Sequence, residues 1–305
     1  MNLKETCDAI KALKIQGAEN VTTAALKALE NTIEKSKAKT KQALLQELEH
    51  ANMLLFKTRS TEPEMRNYCN EILCFLQEFP EKNIQHAKHA LKENIKHTLK
   101  KREERKERLL KIGEIFLVDE LKQKELKVYT HCHSSTVTAI LKKTNKRKKK
   151  SVINTETRPL LQGRRTAQEC TEAGIAVSHY VDAAMIEAMK QADIIMIGAD
   201  AITFEGIYNK IGSELLAHLA NHMHKPLYIC ASLWKYDPHK EKIEQRPEKE
   251  IWENPPKGLH IQNPAFEKIH FKHVKRIICE EGVLKPKKFL RKAKKHIQTT
   301  TYLYP

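Results

Sequence analysis

The stretch that decides the fold prediction reads IIMIGAD, residues 194–200. Four apolar residues followed by Gly and Asp are typical of a buried strand that ends in a loop. Amphipathic segments that fit helices lie on either side of this run, at 182–191 before it and at 212–223 after it. Alternation of strands and helices predicts a Rossmann-like, doubly wound parallel α/β sheet. Further short apolar runs that we interpret as strands lie at 115–118, 126–129, 152–154, 175–177, 227–230 and 277–279.

The first third of the chain has a different texture. Residues 1–110 contain little Gly or Pro, and apolar residues recur every three to four positions, which predicts helices. The segment TRSTEP at 58–63 predicts a loop, with Pro63 starting the next helix. We therefore predict an N-terminal helical domain over 1–110, a linker near 108–112, and an α/β catalytic domain over 111–305.

The net charge first suggests a polyanionic partner. The chain has 305 residues, with 55 Lys and Arg against 38 Asp and Glu, a formal charge of +17. Residues 81–150 hold 21 of the bases against 9 of the acids. Within them, KKREERKER at 100–108 has acids at helical spacing and predicts a solvated helix face. KRKKK at 146–150 predicts an exposed loop. Aromatic residues make up only 6% of the chain, which disfavours nucleic-acid binding.

Cysteine usage and hydropathy indicate a cytoplasmic protein. The seven cysteines are odd in number and form no CxxC pair, as expected for reduced thiols. No stretch approaches the roughly 20 apolar residues of a membrane span. The N-terminal residues lack a signal-peptide pattern. A disulfide framework and a membrane protein are therefore not expected.

Chemistry-bearing residues follow the predicted strands, and ligands bind at the carboxyl ends of strands in such sheets. Cys132 follows one strand and precedes a helix start, where a thiol pKa is lowered and phosphate binds. An inert, half-buried thiol fits equally well. Asp200 follows another strand and suits either acid–base work or the commoner role of capping a loop. Arg158 can bind a phosphate or form a surface ion pair.

Two further groups of residues have side chains that could bind an anion or a metal ion. Asn209 and Lys210 lie before a predicted helix start, where an anion is favoured. His218 and His222 are spaced like metal ligands but lack an acidic partner, so we predict no metal site. The chain has neither a GxGxxG motif nor a Walker loop, so those two types of nucleotide site are unsupported.

Taken together, the motifs occur in a recognisable order. They are THCHS (130–134), ETRP (156–159) with QG (162–163), GAD (198–200), NKIG (209–212), NPAF (263–266) and IICEEGV (277–283). In this combination the chain resembles the superfamily of translation initiation factor 2B alpha, beta and delta subunits, methylthioribose-1-phosphate isomerases and archaeal ribose-1,5-bisphosphate isomerases. The enzymes of that superfamily carry the Cys and the Asp, and its regulatory subunits generally lack them. The HCHS wording is most similar to the ribose-1,5-bisphosphate isomerases.

The resemblance implies an aldose–ketose isomerase that converts ribose 1,5-bisphosphate to ribulose 1,5-bisphosphate in archaeal-type AMP salvage. Cys132 would remove the C2 proton after ring opening, and Asp200, with a pKa raised by burial, would protonate the ring oxygen. The site would lie between the helical domain and the sheet edge, without metal or cofactor. The resemblance implies these substrate-binding residues: Gln16, Gly17, Ala18, Glu19, Arg59, Ser134, Ser135, Thr136, Arg158, Asn209, Lys210 and Lys235.

Two departures keep alternatives open. Gln16 and Glu19 stand where the family's phosphate loop has Arg and Gly, which should weaken bisphosphate binding. The alternatives are a methylthioribose-1-phosphate isomerase and a non-catalytic subunit that senses a sugar phosphate or nucleotide. Cys132 and Asp200 favour an enzyme over the regulatory subunit. The resemblance further implies a homo-oligomer, a dimer or a hexamer, and an AMP effector.

Overall fold

The computed structural model describes residues 1–59, 61–80, 83–120, 125–145, 150–239 and 244–298. The chain divides into two compact units. A helical unit contains Met1–Arg105, the short segment Trp234–Tyr236 and the described residues from Lys292 onward. A sheet unit contains Lys106–Leu233 and Asp237–Arg291. No helix within the described ranges is both long and apolar enough to cross a membrane.

The helical unit is built from the first five helices. Asn2 and Glu5 form a reciprocal capping box at the start of the first, and the Thr40 side chain caps the third. Pro63 begins the fourth, as the sequence predicts. The five helices are α1 Leu3–Lys11, α2 Ala18–Lys35, α3 Lys41–Phe56, α4 Pro63–Glu78 and α5 Ile84–Glu120.

Helix α5 overturns two predictions. Its 37 residues run without interruption through the linker expected near 108–112 and the strand expected at 115–118. Leu110 and Leu117, two helical turns apart, are both buried, whereas Ile115 is 48% exposed. The apolar run therefore belongs to an amphipathic helix, and a run of four residues could not distinguish the two structures.

The basic run 100–108 is also less solvated than predicted. Arg102 is buried, and its guanidinium donates to Glu64 Oε1 at 3.1 Å and to Thr23 Oγ1 at 3.1 Å. Arg105 lies over the Trp234 ring, with its guanidinium carbon 4.7 Å from the ring centroid. The prediction of a solvated face is wrong at these two positions, because both side chains turn inward within the helical unit.

The main sheet has seven strands in the order β10-β9-β7-β4-β1-β2-β3, and only β10 is antiparallel. The strand order reverses direction between β1 and β4, which makes that position the switch point of a doubly wound sheet. The predicted fold class is confirmed. The strands are β1 Leu126–Thr130, β2 Lys150–Thr155, β3 Ala176–Tyr180, β4 Ile194–Ile197, β5 Ala201–Ile202, β6 Ile207–Lys210, β7 Leu227–Cys230, β8 Phe266–Ile269, β9 Arg276–Cys279 and β10 Gly282–Leu284.

Helices cover the main sheet, and a small antiparallel sheet of β5, β6 and β8 accompanies it. One hydrophobic cluster joins the second half of α5 to the strands through Leu117, Val128 and Tyr228, among others. Phe116 packs edge-on against Tyr228 at 4.7 Å. The remaining helices are α6 Ser135–Asn145, α7 Gln162–Glu172, α8 Met185–Lys190, α9 Ser213–His222 and α10 Pro286–Gln298.

The basic run 146–150 meets the sheet at its last residue. Lys150 is the first residue of β2, pairs in register with Leu126, and is 4% exposed. Burial lowers its pKa to about 8. The prediction of an exposed loop is therefore wrong at Lys150, and the other four positions lie outside the described residues.

A close backbone approach at Gly163 gives the first testable prediction. A Cβ at Gly163, in the first turn of α7, would lie 1.8 Å from the Thr155 carbonyl oxygen at the end of β2. Gly163→Ala should therefore lower the free energy of unfolding by about 3 kcal/mol or more, because the atom it meets is backbone that cannot yield locally. Urea denaturation measures the change.

Gly258→Ala is the matched control. Its Cβ would meet nothing within 4 Å, so only the positive φ of +85° opposes it. We expect a loss of about 1 kcal/mol there. Equal losses in the two variants would contradict the steric argument.

Candidate active site

The loops that follow β1 and β4 meet at the switch point of the sheet. Cys132 lies two residues beyond β1, and Asp200 lies three residues beyond β4. A Cβ at Gly198 would lie 2.7 Å from Ser134 Oγ, so the two loops are in direct contact. The structure therefore brings Cys132 and Asp200 to the same edge of the sheet, where such folds bind ligands.

The Cys132 backbone is held in an uncommon conformation. Its φ is +62°, in the left-handed region that non-glycine residues rarely adopt. Its N–H donates to Thr157 Oγ1 at 3.0 Å, and its carbonyl accepts from Thr166 Oγ1 at 2.8 Å. Such strain persists where neighbouring groups fix the backbone, and it is common at functional sites.

The surroundings of the thiol carry charges of both signs. Burial raises the pKa of Cys132 to about 12, while a hydrogen bond from the His133 backbone N–H opposes that rise. The Asp200 carboxylate raises the same pKa further, and the Lys210 ammonium lowers it. Asp200 and Lys210 are therefore both within electrostatic reach of the sulfur. The thiol is neutral at pH 7 in this state.

The small sheet positions Lys210 and Asn209. Both lie on β6 and are buried, and the Asp200 N–H donates to the Tyr208 carbonyl at 2.9 Å on the same strand. Asn209 Nδ2 donates to Ser213 Oγ at 2.9 Å. The Asn209 amide thus stabilises the start of α9, although the sequence assigned it to phosphate binding.

The buried His131 side chain connects the end of β1 to two neighbouring segments of the sheet unit. Its Nε2 lies 2.8 Å from the Ile211 carbonyl and its Nδ1 lies 3.3 Å from Thr155 Oγ1. Burial lowers its pKa, so the ring is neutral at pH 7. Gly212 has a φ of +98°, and a Cβ there would lie 2.9 Å from the His131 ring. The NKIG motif therefore needs its glycine for both reasons.

The segment Ser134–Thr136 forms the start of α6. Ser134 is the cap: its Oγ accepts from the Val137 N–H at 3.3 Å, and its carbonyl accepts from the Thr138 N–H at 2.9 Å. Ser135 and Thr136 occupy the first turn, and Ser135 is exposed. The unpaired N–H groups of a first helical turn favour an anion, and this one follows Cys132 directly.

Asp182 supports this site, and the sequence analysis did not select it. Its carboxylate accepts from the N–H of Thr157 at 2.9 Å and from that of Arg158 at 2.6 Å. Since Thr157 in turn accepts from Cys132, Asp182 anchors the loop that holds the thiol. Asp182 lies two residues after β3, so the strand-end rule that selected Asp200 could have found it.

The Arg158 guanidinium and the Arg158 backbone N–H have different hydrogen-bond partners. The side chain is exposed, and Nη2 donates to the Ile251 carbonyl at 3.0 Å. In this structure Arg158 therefore tethers the segment that contains Ile251.

The other predicted substrate residues belong to the helical unit. In the 16–19 loop, Gln16 is exposed and its Nε2 donates to the Leu13 carbonyl at 2.7 Å. Gly17, with a φ of +79°, precedes α2, and Ala18 and Glu19 form the first turn of that helix. This loop keeps the shape of a helix N-terminal anion site, but it has no guanidinium of its own.

Arg59 and Lys235 supply the cations of the helical unit's predicted set. Arg59 Nη2 lies 3.3 Å from Glu62 Oε1, and its buried Nε has no hydrogen-bond partner among the described residues. Lys235 lies in the 3-10 turn Leu233–Lys235. Asn67 Nδ2 donates to the carbonyls of both neighbours of Lys235, to Trp234 at 2.7 Å and to Tyr236 at 2.9 Å.

Tyr68 fixes the same turn from the next position of α4. Its ring stacks on Trp234 at 4.1 Å with an interplanar angle of 8°. Sequence reasoning missed both Asn67 and Tyr68. They lie far from Lys235 in the chain, and no local pattern marks them.

Comparison with known proteins identifies the family. The family model described as the initiation factor 2 subunit family matches residues 14–286, and the chain belongs to this family. The ribose 1,5-bisphosphate isomerase of Pyrococcus furiosus is 31% identical over 300 residues, covering 92% of this chain and 90% of the relative. The methylthioribose-1-phosphate isomerase of Desulforamulus reducens is 32% identical, covering 91% and 86%.

A solved structure shows the same fold. The fold matches a chain of the tetrameric eIF2B-beta2-delta2 complex of C. thermophilum with a TM-score of 0.75, at 16% identity, covering 96% of this chain and 94% of that chain. Because two relatives that are 31% and 32% identical over most of the chain are named isomerases, this protein is a sugar-phosphate isomerase. The predicted family and enzyme class are confirmed.

The field of Asp182 at the thiol gives the second prediction. Asp182→Asn removes a negative charge that raises the pKa of Cys132, while keeping one acceptor oxygen for the loop. The pKa of Cys132 should fall by about 0.5 unit, since removing a nearby like charge favours the thiolate. The rate of Cys132 alkylation against pH, followed by peptide mass spectrometry, measures it.

Asp193→Asn is the control for this experiment. Asp193 also accepts a backbone N–H, from Lys127 at 2.8 Å, but precedes β4 at the opposite edge of the sheet. The alkylation profile of this variant should match the wild type. An unchanged or raised Cys132 pKa in Asp182→Asn would refute the assigned role.

The anchored turn at Lys235 gives the third prediction. Asn67→Ala removes two buried hydrogen bonds and leaves two carbonyls without this partner, so the free energy of unfolding should fall by about 1–3 kcal/mol. If Lys235 binds substrate, KM should rise more than kcat falls. Asn221→Ala, at an exposed amide of the sheet unit, should change neither quantity. A normal KM in a destabilised Asn67→Ala would restrict Asn67 to a structural role.

Proposed function

We propose that this protein converts ribose 1,5-bisphosphate to ribulose 1,5-bisphosphate, with Cys132 as the base and Asp200 as the acid. The observation that carries the proposal is the presence of a thiol and a carboxylate at one switch point, within electrostatic reach of each other. An aldose–ketose conversion needs one group that removes a carbon proton and one that protonates an oxygen. A relative named for this reaction is 31% identical over most of the chain.

In the proposed reaction, Cys132 and Asp200 each give up and regain one proton per turnover. Asp200 protonates the ring oxygen as the ring opens, and the Cys132 thiolate then takes the C2 proton. Cys132 returns that proton to C1, and Asp200 recovers one from the C2 hydroxyl as the ketone forms. Atoms and charges balance, because the substrate and product are isomers.

One proton shared by the two groups is enough to start this cycle. Burial raises the pKa of Cys132 to about 12, so this proton is on the sulfur in the unliganded state. The Lys210 ammonium and the His133 N–H favour the sulfur anion. The proposed mechanism requires that the proton pass to Asp200 when substrate binds, which gives the thiolate and the carboxylic acid that the reaction needs. The neutral thiol of the unliganded state is the other position of the same proton.

We propose phosphate ligands in each of the two units. In the sheet unit, the first turn of α6 with Ser134, Ser135 and Thr136 offers N–H and hydroxyl donors, and Lys210 offers a cation. In the helical unit, Arg59, Lys235 and the loop 16–19 are the proposed phosphate ligands. Asn209 and Arg158 would have to leave their present partners to contact substrate.

The second candidate substrate is methylthioribose 1-phosphate. Gln16 and Glu19 remove positive charge from the loop 16–19, which suits a substrate with one phosphate better than one with two. A methylthioribose-1-phosphate isomerase is 32% identical to this chain. Cys132 and Asp200 would play the same roles on that sugar.

We also propose that the protein is a cytoplasmic homo-oligomer, a dimer or a hexamer, with AMP as an effector. Val181, Ile186 and Leu215 of the sheet unit are each 47% exposed or more, as expected for side chains that a second copy covers. The solved relative in C. thermophilum is a tetrameric complex. Light scattering after size exclusion tests the oligomer, and turnover with and without AMP tests the effector.

A direct assay gives the fourth prediction. The wild type should turn over ribose 1,5-bisphosphate, and Cys132→Ser and Asp200→Asn should each lower kcat by about 10²–10⁴-fold. Cys7→Ser, at a buried thiol of the helical unit, should retain wild-type activity. Turnover of methylthioribose 1-phosphate alone would establish the second candidate. Inertness toward both sugars would remove both proposals.

A further inference from the structure

A cleft outside the reaction site lies within the helical unit. Faces of α1, α2 and α3 line it, and it encloses about 780 Å³. That volume lies within the range of about 300–1,000 Å³ typical of drug-sized ligands. Its lining comes entirely from residues 2–57 of one unit and includes none of the residues assigned to the isomerase reaction.

The floor of the cleft is mainly apolar. Leu3 and Cys7 of the α1 face and Leu54 of α3 provide apolar surface, and Asn31 and Thr32 of α2 add polar groups. The Thr32 hydroxyl donates to the Ala28 carbonyl at 2.8 Å, so its hydrogen-bond donor is already used within the helix. Such a floor fits a ring or a short chain rather than a bare ion.

The rim of the cleft carries an excess of cations. Five lysines line it, together with His50, against two acids, Asp8 and Glu47. Within the described part of the chain, none of the five ammonium groups forms an ion pair or a hydrogen bond. The five lysines are Lys4, Lys11, Lys35, Lys37 and Lys57.

Some other lysines of this unit do have partners. Lys41 Nζ donates to the carbonyls of Gln77 at 3.0 Å and Phe79 at 2.7 Å, and Lys92 pairs with Glu34 at 2.8 Å. Two of the rim lysines, Lys11 and Lys35, end their helices, where a cation is favoured by the helix dipole. The dipole accounts for those two positions. It does not account for the convergence of five unneutralised cations on one apolar cleft.

We propose that this cleft binds an organic phosphate in which the anion is joined to an apolar ring. The apolar floor would take the ring, and the rim lysines would surround the phosphate as mobile point charges. Binding at this place adds a second anion site to the protein, independent of which sugar phosphate it isomerises.

The test uses 1-naphthyl phosphate, whose ring is fluorescent, with the full-length wild-type protein. The probe should bind saturably, and more tightly than either 1-naphthol or inorganic phosphate, because only the probe engages both floor and rim. Added NaCl should weaken binding, since exposed charges are screened by salt. Failure to saturate, or equal binding of 1-naphthol, would overturn the proposal.

Charge reversal localises the site. Lys11→Glu with Lys35→Glu should weaken probe binding by about tenfold or more. Lys27→Glu with Lys100→Glu makes the same change in net charge at exposed lysines outside the cleft, and should leave the affinity within about twofold. Equal effects of the two pairs would show that the probe senses only net charge, which would refute the site.

A third variant controls for misfolding and for binding of the probe at the reaction site. Asn31→Trp fills the cleft without changing charge and should abolish probe binding, while circular dichroism and turnover of the sugar phosphate stay at wild-type values. Retained probe binding in this variant would place the probe elsewhere and overturn the proposal. Because the readout is binding, the result does not depend on which isomerase reaction the protein performs.

Discussion

The parallel pairing of β1 with β4 is the constraint on which the site depends. Those two strands are neighbours in space although three helices and two strands separate them in the chain. Their pairing, Val128 with Ile194 and Tyr129 with Ile195, fixes the register of the two loops that follow. A thiol and a carboxylate reach one edge of the sheet because of this register. The close approach of Gly198 to Ser134 leaves no space for a side chain between the two loops.

Neutral groups hold this edge rigid around the charged ones. His131 and Gly212 lock β1 to the end of the small sheet, and Thr157 and Thr166 hold Cys132 in its left-handed backbone. Every one of these contacts is made without placing a full charge against the sulfur. The field at the thiol is therefore left to the few ionised groups nearby. Preorganisation of this kind would keep the surroundings of Cys132 fixed during the proposed proton transfer.

The sequence predicted the features that depend on local pattern. Short apolar runs identified six strands of the main sheet, and the residues after two of them are Cys132 and Asp200, because strand ends are where this topology binds ligands. Local pattern failed where long-range packing decides. The run at 115–118 is helical, Lys150 is buried by its partner strand, and Asp182 gains its role from a loop of distant residues. The first two facts have no signature within a few residues of the chain, whereas Asp182 could have been found from its place two residues after β3.

The charge of +17 has several physical meanings rather than one. Arg102 and Arg105 are packed inside the helical unit, and Lys150 is buried at a strand start, so all three serve the fold. Lys210 acts on the thiol. Part of the remaining surface charge is paired with acids on the same helix, as in Lys96 with Glu93 and Lys190 with Glu187, and such exposed pairs contribute little to stability. Several cations that converge on one cleft create a positive potential there, and this potential attracts an anion. In the helical cleft five lysines converge beside apolar surface, and this combination is the basis for proposing an anion site there.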